Sequence, residues 1–227
     1  MLKYIKQFAN HTAYNAVKSN LDKPNVSLCE QENEVHYNPF TPPYDGFCKL
    51  TLRDGSIIEL EGSGELYYPI ISNYKQNLVS IEIGTLCTSI LENTFDSYEY
   101  LENVIIPDGI TDILMSTFYN CPNLTSVTIP NSVTSIGQGA FSKCTSLTSI
   151  TIPNSVTSID ATAFSNCSSL TEIISLATTA PTIVNNTFRN VKTNGTLIVP
   201  NGSSGYDTWM GTGNYYLGKY NWTKVEQ

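Results

Sequence analysis

Leu124-Thr-Ser-Val-Thr-Ile-Pro-Asn-Ser-Val-Thr-Ser-Ile136 is followed by Leu147-Thr-Ser-Ile-Thr-Ile-Pro-Asn-Ser-Val-Thr-Ser-Ile159, the same pattern 23 residues later. Each copy closes on an Ala-Phe pair and a cysteine: Ala140-Phe141 with Cys144, then Ala163-Phe164 with Cys167. Self-similarity at a fixed period of this length marks a solenoid. One unit cannot bury its apolar face alone and stacks on its neighbours.

Stepping by the same period finds worn copies on both sides. Leucine recurs at Leu78, Leu101, Leu124, Leu147 and Leu170, and phenylalanine at Phe95, Phe118, Phe141 and Phe164. Ile81, Val104, Val127, Ile150 and Ile173 form a third column, and Ile90, Ile113, Ile136 and Ile159 a fourth. Cys87 stands where later copies carry Ile110, Val133 and Val156. The fifth copy slips by one, to Phe188, and its middle reads Ala177-Thr-Thr-Ala-Pro181. That drift is what a terminal, capping coil predicts.

Within a coil, Val127 and Ile129 alternate with Ser126 and Thr128, the pattern of a short half-buried strand. Pro130-Asn131-Ser132 then turns the chain, Val133 and Ile136 return to the core, and Gly139-Ala140-Phe141 makes a tight turn. Equivalent strands are expected to stack about 4.8 Å apart. The outward positions then form two rows, Ser80, Asn103, Ser126, Ser149 and Glu172 beside Glu82, Ile105, Thr128, Thr151 and Ile174. Such a Ser/Thr face with Ile105 and Ile174 exposed can dock a protein or a glycan. The same residues are also simply good strand formers on a solvated sheet.

The flanks are unrepeated. Leu2, Ile5, Phe8, Ala9, Ala13, Ala16 and Val17 have helical spacing. Val26 to Glu30 and Glu34 to Tyr37 suggest a small hairpin, and Asn38-Pro-Phe-Thr-Pro-Pro43 a stiff connector. Cys48 to Leu60 is expected to be a hairpin closed by a two-residue Asp54-Gly55 turn. Gly195-Thr-Leu-Ile-Val-Pro200 is a final strand, and the tail is dense in aromatics, with Tyr206, Trp209, Tyr215, Tyr216, Tyr220 and Trp222. These rings either cover the open end of the solenoid or stack on a ligand. The expected division is 1–45, a helix and hairpin for attachment; 46–77, a hairpin cap; 78–188, the repeats; and 189–227, a C-terminal cap.

The repeat, Leu-Thr-Ser-Val-Thr-Ile-Pro-Asn-Ser-Val-Thr-Ser-Ile-Gly followed by Ala-Phe and Cys, resembles the BspA-like leucine-rich repeat of gut Bacteroidetes and their phages. The resemblance runs from Leu78 to about Pro200. Leu50 to Gly64 and Ile83 to Ile90 resemble what precedes such repeats, and Asn25 to Asn38 is similar to amino-terminal modules of related sequences. It implies a leucine-rich-repeat solenoid of 23-residue repeats, mostly short β-strands with tight turns, between a small α+β N-terminal region and an aromatic C-terminal cap. It also implies a non-enzymatic, surface-exposed adhesion or binding protein. Exported members carry a signal or sorting sequence, and none is visible here. That raises the phage-particle reading, and the expected localisation is a cell surface, the extracellular space or a virion. The alternative to adhesion is a structural component of a bacteriophage particle, docked through its N-terminal region onto other virion proteins.

Composition narrows the classes further. The 227 residues carry a net charge of −8, which argues against nucleic acid, since phosphate binding needs clustered Lys and Arg. No apolar run approaches the roughly 18 residues of a membrane helix, so no membrane insertion is expected. Six cysteines are too sparse for a disulfide scaffold. The 23-residue column Cys121, Cys144 and Cys167 reads as buried thiols filling the same small hole. No Cys or His pair has zinc spacing, so no metal and no cofactor is expected. Cys29 and His36 are the conceivable nucleophile–base pair, without a third orienting group, and no catalytic residue is assigned. The candidate binding residues are Ser126, Thr128, Ser149, Thr151, Ile105, Ile174, Trp209, Tyr215, Tyr216 and Trp222.

Overall fold

The computed structural model describes residues 44–184, 186–213 and 216–227. The described residues fall in one compact unit, Tyr44–Gln227. The expected N-terminal helix and first hairpin, with Cys29 and His36, lie outside the described residues, as does Tyr215.

The repeat forms a solenoid whose coils are joined by three hydrogen-bonded ladders. The first is parallel and comes in two sheets, β4 (Leu78–Ile83), β6 (Asn103–Ile105) and β8 (Ser126–Thr128) in one and β10 (Ser149–Ile152), β12 (Glu172–Ser175) and β14 (Thr196–Val199) in the other. Val104 pairs with Val127 and Ile150 with Ile173, so the columns read from the sequence are the register of the sheet. The second ladder is a ribbon of two-residue strands, β7 (Asp112–Ile113), β9 (Ser135–Ile136), β11 (Ser158–Ile159) and β13 (Thr182–Ile183), while β3 (Gly64–Leu66) and β5 (Cys87–Ile90) form a separate parallel pair.

The third ladder runs along the Phe turns. Phe95, Phe118, Phe141 and Phe164 each donate a backbone N–H to the next coil, at Thr117, Ala140, Ala163 and Thr187. This geometry needs two left-handed residues per coil. They are Asn93, Ser116, Gly139, Thr162 and Asn186 before the Phe, and Ser97, Asn120, Lys143, Asn166 and Asn190 after it. Left-handed backbone suits Gly and Asn and strains other residues by about 1–2 kcal/mol. Thr162 is β-branched with φ 58°, whereas Gly139 takes the same place at φ 64°. Thr162→Gly is expected to stabilise the protein by about 0.5–1 kcal/mol, after the entropy that glycine adds to the unfolded chain. Gly139→Thr should shift the urea midpoint in the opposite direction.

The coil interior is a stack of identical rings. Phe95, Phe118, Phe141, Phe164 and Phe188 lie parallel at centroid separations of 5.1, 5.3, 5.4 and 5.8 Å. Every one is fully buried. Tyr98 closes the stack edge-on at one end, and Trp209, tilted 51° over Phe188, closes it at the other. The wealth of Ser and Thr also has a structural use. Thr125, Thr134, Thr157 and Thr171 direct their hydroxyls to carbonyls one coil earlier, and Ser132 and Ser155 do the same.

The structure corrects four expectations. The hairpin of β1 (Cys48–Leu52) and β2 (Ile57–Leu60) closes through three residues rather than two. Gly55 takes φ 79° after Arg53 and Asp54, and Leu52 N–H bonds Ser56 O at 2.9 Å. That hairpin runs antiparallel to β4 and covers the first edge of the parallel sheet. The fifth coil is not terminal either: its 24-residue offset is absorbed in the turn, since Ile159 pairs with Ile183 and Ile173 with Leu197. A further strand, β15 (Thr223–Glu226), continues the sheet beyond β14.

The third correction concerns continuity. The main sheet is not one stack, because β8 and β10 belong to separate sheets. The fourth concerns the tail. Trp209 and Trp222 are buried and present no ring to a ligand. Trp209 donates its indole N–H to Pro181 O at 3.0 Å, and Trp222 packs where Gly195 has no side chain and bonds Lys192 O at 2.7 Å. With Tyr206, hydrogen-bonded to Ser175 and Ala177 O, they form the aromatic C-terminal cap.

Candidate functional site

The outward side of the main sheet carries two straight rows, because a strand sends alternate side chains to opposite faces. One row is Ser80, Asn103 and Ser126, then Ser149, Glu172, Thr196 and Thr223. The other is Glu82, Ile105 and Thr128, then Thr151, Ile174, Ile198 and Val225. Of the candidate residues, Ser126, Ser149 and Thr151 are exposed, while Thr128, Ile105 and Ile174 are half-buried. Ile105 and Ile174 therefore present less surface than expected, since neighbouring ladder residues cover their flanks. Tyr216 is half-buried and stands outside this face, beside Gly213 near the cap.

The sequence reading missed the last third of this face. Thr196, Ile198, Thr223 and Val225 extend the rows, and Ile174, Ile198 and Val225 make an apolar line at one end, with Val225 37% exposed. A 24-residue offset hid the first pair, although the alternation in Thr196-Leu-Ile-Val199 was a usable signal. At the other end Lys49 lies in register between Glu59 and Glu82, so the face passes from charged through hydroxyl-rich to apolar.

The face, rather than the edge, is open to a partner. In β15, Lys224 and Glu226 pair with the buried Leu197 and Val199, so both charges stand at inward positions of an edge strand. Lys224 Nζ contacts Glu226 Oε1 at 3.1 Å, and Gly202 N–H donates to Glu226 Oε2 at 3.2 Å. The Lys224 hydrogen bond lowers the Glu226 carboxyl below its ordinary range. Inward charges on an edge strand oppose the addition of another strand.

Among the described residues the repeat thiols are taken up by the fold. Cys121, Cys144 and Cys167 are buried, and each thiol donates to the carbonyl of the Phe 26 residues earlier, at 3.1, 3.2 and 3.1 Å. Burial pushes Cys121 and Cys167 up to about 12 and Cys144 well above its ordinary value. A nucleophilic cysteine needs the reverse, a depressed pKa and access. Cys48 and Cys87 are also buried with raised pKa. Among the described residues no group of His, Cys, Asp and Glu side chains is placed to hold a metal ion. No helix among them is long and apolar enough to cross a membrane. A shallow groove of about 280 Å³ lies over the two-residue strands, between Ser135, Gly137, Ser158, Asp160, Thr182 and Val184. Two of its hydroxyls are already used, Ser135 on Asp112 and Thr182 on Thr157 O.

Residues 72–194 match the model of the BspA type leucine-rich repeat region, in six copies. No curated protein sequence matches the chain. Among solved structures, the chain is similar to the Treponema pallidum leucine-rich repeat protein TpLRR at 24% identity. That match covers 50% of this chain and 52% of the other, with a TM-score of 0.45. A leucine-rich repeat protein of Bacteroides ovatus is 19% identical over 77% of this chain and 58% of its own, with a TM-score of 0.44. The pneumococcal vaccine antigen PcpA is 16% identical over 67% and 37%, with a TM-score of 0.45. The chain spans about half the length of the first two of these structures.

Proposed function

This chain belongs to the BspA-type leucine-rich repeat family, and from that premise we propose that it is a non-enzymatic recognition module displayed on a cell surface. In this reading it binds a protein or a glycan through the outward face of its main sheet. The observation that carries the proposal is the division of labour inside each coil. Inward residues, Phe turns, thiols and the hydroxyls of Thr125, Ser132, Thr134, Ser155, Thr157 and Thr171 are used in joining coils. The two outward rows are in register within each block of the main sheet, β4 to β8 and β10 to β15, with side chains that the stacking largely does not use.

Their character fits a recognition surface. The apolar line Ile174, Ile198 and Val225 supplies burial, at roughly 25 cal/mol per Å² of apolar surface covered. The hydroxyls of Ser126, Ser149, Thr151 and Thr196 supply directional hydrogen bonds along the rows. Few charges interrupt the centre of the face, so neither nucleic acid nor a strongly acidic partner is favoured.

The test is a binding screen of the purified chain against an array of purified surface proteins and glycans, repeated with Ile174→Arg/Ile198→Arg. Binding by the native chain is expected to weaken at least about tenfold in the variant, which should still unfold in one cooperative transition at a somewhat lower midpoint. Binding that survives the double substitution would place recognition elsewhere.

A further inference from the structure

We infer that the main sheet opens at one seam, between β8 and β10, so that the solenoid is two blocks hinged on its two other ladders. On both sides of the seam, strand pairing is regular. Thr125 N–H bonds Glu102 O and Thr171 N–H bonds Thr148 O, each at 2.9 Å, and both threonine hydroxyls reinforce the same carbonyls. The equivalent bonds from Thr148 to Thr125 are absent among the described residues, as is any strand pairing between β8 and β10.

The two other ladders cross the same boundary intact. Ser135 pairs with Ser158, Thr157 N–H bonds Thr134 O at 2.9 Å, and Phe141 N–H bonds Ala163 O at 2.8 Å. Phe141 and Phe164 remain stacked at 5.4 Å. The gap is therefore confined to one face, which is the geometry of a hinge and not of a broken coil.

Packing beneath the seam is loose in the same place. Val127 is half-buried, while Ile81, Val104, Ile150, Ile173 and Leu197 in its column are at most 2% exposed. Ile129 is 9% exposed, against 1% for Ile83 and 0% for Ile152. By the repeat register Ser126 and Thr128 stand opposite Ser149 and Thr151 across the seam, and no hydrogen bond joins their side chains. Elsewhere the rows bring Ile174 against Ile198 and Asn103 Nδ2 to Ser80 Oγ. The seam lies midway along the proposed recognition face, and opening there changes its curvature. The hinge itself does not depend on what that face binds.

Site-resolved amide exchange, followed by NMR on the whole chain, tests it. The Thr148 amide is expected to exchange at least about tenfold faster than those of Thr125, Thr157 and Thr171, which hold their partners. Protection of Thr148 equal to that of Thr125 and Thr171 would overturn the seam. Fast exchange shared equally by Thr148 and Thr157 would overturn the hinge, because the coil would then be opening on two faces at once.

Discussion

Phe141→Ala is expected to lower the free energy of unfolding by about 3–5 kcal/mol, a large share of the roughly 5–15 kcal/mol that holds a folded domain. Phe141 is fully buried and stacked on both sides, at 5.3 Å from Phe118 and 5.4 Å from Phe164. Truncation removes its transfer free energy and leaves a hole that cannot collapse, because the backbone on either side is pinned. Phe118 N–H bonds Ala140 O and Phe141 N–H bonds Ala163 O, both at 2.8 Å. In a solenoid each unit is stabilised chiefly by its neighbours, so a gap in the middle of the stack weakens two interfaces at once. Thr128→Ala, on the outward row of the same coil, should change stability by less than about 0.5 kcal/mol. Urea denaturation of the two variants beside the parent checks both numbers.

Alkali is expected to destabilise the fold steeply. A thiol in the unfolded chain ionises near pH 8.5, by roughly the ordinary value. In the folded protein Cys121 and Cys167 are held at about 12 and Cys144 well above its ordinary value, because burial disfavours the thiolate. The folded pKa is the higher one, so this contribution is complete below the unfolded pKa and is lost as pH rises towards 12. Between those limits each thiol removes about 1.4 kcal/mol per pH unit, or about 2 kcal/mol by pH 10. Cys121 and Cys167 together bring the loss to about 4 kcal/mol at that pH, and Cys144 adds to it in the same direction. Substituting Cys167 by Ala should make the decline between pH 8.5 and 10 shallower by about one such increment. A pH series of denaturation curves that stays flat through this interval would mean that the thiols are not buried as described.

Much of the interior was legible in the sequence because it repeats. The Leu, Phe and Ile columns at a 23-residue step set the register of every coil between Leu78 and Leu170, and the cysteine column announced its own burial. The third ladder was less visible. Its signal was an excess of Asn at the same step, at Asn93, Asn120, Asn166, Asn186 and Asn190, blurred by Ser116, Lys143 and Thr162 in equivalent left-handed positions. Tolerance of a few strained residues in a pinned turn removes the composition cue. Beyond Leu170 a single inserted residue broke the step, which hid Thr196 and Ile198 from the outward rows. Trp209 shows a different limit: an aromatic tail can serve a cap or a ligand, and only packing against Phe188 and the bond to Pro181 O decide for the cap. The seam had no sequence cue of its own, since it falls between the two copies that resemble each other most.

The central claim is that one coil separates inward residues that hold the fold from outward residues that are free to recognise a partner. The same substitution made at two adjacent positions tests it most directly. Ile173 is fully buried and Ile174 stands on the outward row, where the two preceding coils carry Thr128 and Thr151. Ile173→Thr is expected to cost about 2–3 kcal/mol in urea unfolding, for a buried hydroxyl and lost packing. Ile174→Thr should cost less than about 1 kcal/mol. Equal losses at the two positions would contradict the account.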